Sequence, residues 1–350
     1  MRSIQALRRQ TRPLIIRLPI LALLIVIVAS GCSPDPGRGT SREEAFLTSI
    51  TELEPINLDS EHKLHVVAST SIVYDVLQNI GGEAIDLEML IPIGADPHAY
   101  EPTPGDLRKL VQADLVFING IDLEEPLYPT FSEIAANTVI ASLSEGLQLQ
   151  SFAGETGKGT DPHDQDSGDQ TGMDPHVWLD PLNVRTWVIN AADALSAVDP
   201  DRAEQYLSNA EAYSGQLDEL HGWIEVMVAG IPADQRKLVT DHRALGYFAA
   251  RYGFELIATV VPAYSTAAEP SARELADLVE TIKNESAQAI FVSSNVNTTI
   301  AKRIAEDTGI RVVPLYIGTL SPAEGPADSY IEMMEYNVEA ISATLAGNNN

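Results

Sequence analysis

Cysteine is almost absent from this sequence. Cys32 stands alone among 350 residues, so no disulfide can close within the chain. Positive charge is also scarce: 22 Lys and Arg face 50 Asp and Glu, a formal net charge of −28. Such a chain repels phosphate backbones and argues against nucleic acid as a partner. The same field favours cations, although solubility or a salty habitat accounts for the charge by itself. Local signatures of metal or nucleophilic chemistry are missing as well: there is no HExxH, no paired CxxC and no G-x-S-x-G. Long apolar runs are missing too. The uncharged stretch Leu18 to Ala29 falls short of the roughly 20 residues a membrane-spanning helix needs. What remains is 45% hydrophobic and 6% aromatic, enough for a globular core in one large or two medium domains.

The first residues read as an export signal. Arg2, Arg8, Arg9, Arg12 and Arg17 precede the short apolar stretch, no acid lies among them, and small residues follow. Ala29-Ser30-Gly31-Cys32 resembles a bacterial lipobox, in which the cysteine becomes the lipidated first residue. Ala29 stands where such boxes usually carry Leu or Val. The expectation is a lipoprotein signal peptide over 1–31, lipidation at Cys32, and a tether over 32–61 rich in Ser, Pro, Gly and acids.

Structured sequence begins at Leu64-His65-Val66-Val67-Ala68, a run suited to a buried strand. Helical spacing follows from Thr70 to Ile80 and stops at Gly81-Gly82. Strands are expected at 86–90, 114–118 and 138–141, with a helix over 104–112. Residues 151–174 are nearly free of apolar side chains and dense in Gly and Asp, a surface loop. From Asn183 to about Gly230 the spacing is helical, with Asp199-Pro200 starting a second segment. Alternation then resumes: strands at 237–240, 255–261, 289–292 and 312–315, and helices at 242–252, 271–285, 298–308 and 326–345. This predicts an α/β protein of two Rossmann-like lobes with parallel sheets joined by a long helix. The lobes are expected over 62–182 and 231–350, with the linking helix over 183–230. Two facing lobes of this kind make a ligand cleft at the carboxyl ends of their strands.

The chain has seven histidines, and three share a tripeptide: Asp96-Pro97-His98, Asp161-Pro162-His163 and Asp174-Pro175-His176. A fourth, His242, follows a predicted strand in Val239-Thr240-Asp241-His242. Neutral imidazole suits Zn²⁺ and related metals. Proline stiffens the presenting loop, and a neighbouring Asp could hold the second ring nitrogen. Spacing alone does not join these histidines, since tens of residues separate them. An ordinary Asp-Pro-His turn is the simpler reading of each. His62, His65 and His221 read as structural.

Several motifs follow in order: Val67-Ala68-Ser69-Thr70-Ser71-Ile72-Val73, Ile91 to Pro102 around Asp96-Pro97-His98, Asp114 to Gly120, Asp174-Pro175-His176-Val177-Trp178-Leu179-Asp180, and Thr240 to Phe248. Each is weak alone. As an ordered set over roughly residues 62–346 they resemble the zinc/manganese-binding solute-receptor lipoproteins of ABC metal importers, a group that includes adhesin-like members. The resemblance implies two lobes with a metal in the cleft, His98 and His176 from the first lobe and His242 from the second. It also aligns the 151–174 loop with a His-rich loop of zinc-specific members. Here that loop offers His163 with Asp161 and Asp164 for transient metal capture, or is a plain solvated insertion. Two departures stand out. Gly318 occupies the place of the family's fourth ligand, an acid, and Ser293 that of a second expected acid.

The resemblance implies a binding protein, not an enzyme. Such a receptor is expected to capture Zn(II), or alternatively Mn(II), outside the membrane, periplasmic or at the cell surface. The expectation includes a lipid anchor, a monomeric state and delivery of the metal to a permease and its ATPase. Two alternatives stay open at this point. A secreted zinc hydrolase or lyase would use the same three histidines with water in the open position. A surface adhesin is the other.

Overall fold

A computed structural model describes residues 43, 45–57, 62–151 and 172–347. The calls at 1–31, at Cys32 and at His163, Asp161 and Asp164 lie outside the described residues.

The first sheet comprises β1 (Leu64–Ala68), β2 (Ile85–Met89), β3 (Leu115–Ile118) and β4 (Val139–Ser142). The second comprises β5 (Lys237–Thr240), β6 (Glu255–Thr259), β7 (Ala289–Ser293) and β8 (Arg311–Leu315). Every pairing is parallel, and the two sheets share one topology, β2-β1-β3-β4 and β6-β5-β7-β8. Parallel strands covered on both faces must be apolar throughout. Accordingly, every residue of β3 and β7 is buried. Each chain path reverses direction beside its first strand, and such switch points open a crevice at the carboxyl ends.

The helices of the first lobe are α1 (Ser71–Gly81), α2 (Pro104–Gln112) and α3 (Tyr128–Ile134). α4 (Pro181–Val198) and α5 (Ala203–Ala229) follow, then α6 (Gly246–Tyr252), α7 (Ala272–Asn284), α8 (Thr299–Thr308) and α9 (Tyr330–Leu345). Local chemistry sets several of the ends. Thr103 and Ser271 each close a capping box, with Asp106 and Glu274 respectively. Gly253 and Gly309 end α6 and α8 in the left-handed conformation at φ 73° and 77°.

The helical region expected over 183–230, with a second segment starting at Asp199-Pro200, is two helices divided at Asp199, which accepts from Arg202 and from the Tyr206 hydroxyl at 2.7 Å. α4 packs back against α5. The expectations that need correction concern other elements. The helix expected from His242 starts only at Gly246. There the Thr240 hydroxyl donates to the His242 carbonyl, and the Asp241 carboxylate accepts from His242 N. The last helix starts at Tyr330, where Ser329 caps it, and α3, with Pro129 in its first turn, was not expected. Finally, residues 45–57 are not a free tether. Phe46 and Ile50 are buried in the first lobe, and Thr48 N donates to Ile140 O at 2.8 Å, alongside the edge strand β4.

One apolar core crosses between the lobes. It holds Trp178, Trp187, Tyr206 and Tyr330, with contributions from α1, α4, α5 and α9. Separate clusters fill the outer faces of the two sheets. Buried hydrogen bonds stitch the same seam. Trp178 Nε1 donates to Ile317 O at 2.8 Å, Tyr330 hydroxyl to Trp178 O at 2.7 Å, and Leu320 N to Ser71 Oγ at 3.0 Å. Separating the lobes would exchange each of these bonds for bonds to water, a net loss of about 0.5–1.5 kcal/mol for each, on top of the apolar surface exposed.

Candidate metal centre

Three loops at carboxyl ends of strands carry the site. After β2, the chain turns through Gly94 at φ 86°, a conformation only glycine adopts freely, and enters a single 3-10 turn at Pro97–Ala99. Asp96 caps that turn: one carboxylate oxygen accepts His98 N at 3.0 Å, the other the hydroxyl of Thr266 from the second lobe. Asp174 repeats the device, accepting His176 N at 3.0 Å, and adds the ring, accepting His176 Nδ1 at 2.8 Å. After β5, Asp241 does the same for His242, at 2.8 Å to both backbone N and Nδ1. Its second oxygen accepts Ser293 N at 2.6 Å from the end of β7. Aspartate next to histidine in sequence thus becomes the anchor for the imidazole in space.

The three rings converge. His98 Nε2 lies 3.1 Å from His176 Nε2, which lies 3.2 Å from His242 Nε2. His176 and His242 are 1% and 3% exposed, and His98 is half-buried at the mouth. Burial, and then the proximity of the other rings, holds His98 and His176 well below the usual imidazole range. Burial pushes the Asp174 carboxyl up to about 7 against the His176 N–H and nearby positive groups. Burial acts the same way on Asp241, yet His242 and the Ser293 N–H hold it below the ordinary carboxylate value.

This arrangement fits a metal ion by its chemistry. Carboxylates at both Nδ1 atoms select the tautomer that leaves lone pairs on the Nε2 atoms of His176 and His242. Two lone pairs 3.2 Å apart repel unless a positive charge sits between them. A tetrahedral divalent metal with bonds of about 2.0–2.1 Å sets its nitrogens about 3.3–3.4 Å apart, so the rings need little adjustment.

Gly318 stands beside the turn that carries His98: a Cβ there would lie 3.5 Å from Pro97 and 3.6 Å from Asn295 Nδ2. Among the described residues, the donor cluster holds three imidazoles and no carboxylate oxygen. The histidines read as structural lie elsewhere. His65 pairs with Gln112 O and His221 with the Tyr252 hydroxyl. Thr266, Tyr264 and Asn295 escaped the sequence reading. Tyr264 sets its ring 6.4 Å from that of His176, and Asn295 Nδ2 donates to Ala95 O across the cleft. No local pattern marks any of them, because each works only through a contact with the other lobe or a distant loop.

Fold and donor set together define a two-lobed α/β protein with three converging imidazoles fit for a metal ion at its cleft. The family model described as zinc-uptake complex component A, periplasmic, matches residues 66–344. The manganese ABC transporter substrate-binding lipoprotein of Streptococcus mitis is 33% identical over 82% of this chain and 91% of that protein. The manganese-binding lipoprotein of Halalkalibacterium halodurans is 31% identical over 93% of this chain and 96% of its own length. Among solved structures, the periplasmic zinc-binding protein TroA of Treponema pallidum superposes with a TM-score of 0.74 at 28% identity, covering 82% of this chain and all of that one. The chain belongs to the zinc-uptake component A family, the metal-binding receptors of ABC importers.

Proposed function

We propose that this receptor captures Zn(II) between its lobes through His98, His176 and His242 and hands it to a membrane permease. It is a binding protein and not an enzyme, working outside the cytoplasm on Zn or Mn as cargo. The observation that carries the choice of zinc is the nitrogen-only donor set found among the described residues. Mn²⁺ prefers oxygen ligands, and affinity at nitrogen sites rises from Mn²⁺ to Zn²⁺. Relatives named for manganese keep the manganese reading as the alternative. Gly318 leaves the fourth position to water, a geometry zinc accepts.

Lipidation at Cys32, a monomeric state and metal capture by His163, Asp161 and Asp164 belong to the same proposal. Metal analysis by plasma mass spectrometry tests the core of it. The protein lacking residues 1–32, purified without chelator, should hold about one zinc per chain, and the His98→Ala/His176→Ala double variant none. Manganese retained in preference to zinc from an equimolar mixture would sink the zinc reading.

A further inference from the structure

Four successive backbone N–H groups, from Asn119 to Asp122, are taken up by two carboxylates. Glu124 accepts Asn119 N at 2.8 Å and Gly120 N at 3.1 Å, and also the Ser69 hydroxyl at 2.7 Å. Glu43 accepts Ile121 N at 2.9 Å and Asp122 N at 3.3 Å. Glu124 belongs to the loop itself. Glu43 comes from 76 residues or more upstream of it, within the stretch that composition marks as tether.

The loop is strained. Gly120, Ile121 and Asp122 all lie in the left-handed region, at φ 83°, 58° and 59°. For a β-branched residue such as Ile121 that conformation is a true outlier and persists only when its surroundings over-determine it. Glu43 is part of what determines it, because its two oxygens match two N–H groups that the left-handed turn points the same way. Only glycine fits at 120, since a Cβ would collide with the Ser142 hydroxyl and the Glu43 carboxylate.

The loop reaches the metal site. Asn119 Nδ2 donates to Pro175 O at 3.2 Å, the carbonyl immediately before His176, and Ser142 Oγ holds Asn119 O at 2.9 Å. His176 is the central ring of the three, the one whose Nε2 approaches both others.

We infer that Glu43 is a positioning residue for the metal site: it locks the Gly120–Asp122 turn, and through Asn119 and Pro175 that turn sets the place of His176. The segment bringing Glu43 there is itself clamped to the first lobe and to the end of α4. Phe46 packs 5.0 Å from the Tyr128 ring and 5.6 Å from Phe131. Ser49 Oγ and Ile50 N donate to Glu145 at 2.6 and 2.9 Å, and Ile56 N to Val198 O at 2.9 Å. Residues 45–57 are thus a strap on the lobe, and the Glu43 carboxylate beside them is plugged into the loop next to a metal ligand.

The inference rests on the metal-site reading, and its test separates the two. Zinc release to a chelator is followed by stopped flow for the wild type, Glu43→Gln and Leu278→Ala, well below their melting temperatures. In Glu43→Gln an amide group faces one of the two N–H donors. Release should speed up about tenfold, at the lower end for groups that orient a ligating histidine. Leu278→Ala empties part of the outer core of the second lobe, away from the strap, and should lower the melting temperature with release unchanged. Equal acceleration in both, or none in Glu43→Gln, overturns the inference. The imidazole ¹⁵N shifts of His176 in the metal-free protein give a second readout. They should move in Glu43→Gln and stay put in Leu278→Ala, whichever metal is the cargo. A wild type that holds no metal would refute the cargo reading while these shifts still decide the role of Glu43.

Discussion

His176 and His242, 66 residues apart in sequence, bring their Nε2 atoms to 3.2 Å of one another, each with its Nδ1 held by an aspartate at 2.8 Å. One ring comes from each lobe, so the seam between the lobes also sets the spacing of the rings. Each ring is aimed by a neighbour in its own loop, and the rings meet only because the lobes are locked together.

Asp241→Asn should weaken metal binding by about 10- to 100-fold, because the amide no longer enforces the Nδ1–H tautomer of His242. Competition against a fluorescent chelator measures it. Unchanged affinity would mean that the carboxylate does not orient the ring.

Gly318→Asp should shift selectivity toward manganese. A Cβ at 318 meets only ordinary contacts, at 3.5 Å and beyond, so the new side chain enters without rebuilding the loop. An added carboxylate oxygen suits Mn²⁺ better than an all-nitrogen set does. The ratio of manganese to zinc affinity, measured by competition, should rise several-fold. A fall in both affinities would show that the side chain points away from the metal.

Trp187→Ala should destabilise the protein by about 3–5 kcal/mol. The ring is fully buried in the core shared by both lobes, and its Nε1 donates to Ser144 Oγ at 3.0 Å. Because that core crosses the seam, urea unfolding should stay a single transition. Two separated transitions would show that the lobes fold independently.

Relative to His98→Ala, the metal-free protein should lose stability as the pH falls below about 6.5, the ordinary imidazole value. His98 is depressed in the folded state by burial and by the other two rings, so the unfolded chain binds its proton first and its contribution rises with pH through that window. Asp174 and Glu124, pushed up to about 7 by burial, contribute the opposite slope, and the comparison with His98→Ala cancels it. Melting temperatures of the two proteins between pH 5 and 8 check this. Saturating zinc should flatten the upper part of the curve by holding the rings neutral.

Much of the fold was legible in the residues. Apolar runs of four or five marked the strands, and Thr103 and Ser271 announced their helices, because hydrophobic periodicity and capping are local physics. Asp96-Pro97-His98, Asp174-Pro175-His176 and Asp241-His242 likewise announced stiff turns with a carboxylate beside an imidazole, since each Asp reaches a backbone N–H one or two residues on. That the three rings meet was implied only by the family resemblance and not by their spacing, since it depends on how two sheets face each other across a shared core. Nor was the role of Glu43. In sequence it is one acid in a polar stretch, and only the left-handed turn at Ile121 and Asp122, formed far along the chain, supplies the two N–H groups that its carboxylate fits. The sequence by itself determined the elements, their ends and the side chains able to bind a metal. Tertiary structure alone decided which of them meet, because the distances that set metal geometry are distances between loops.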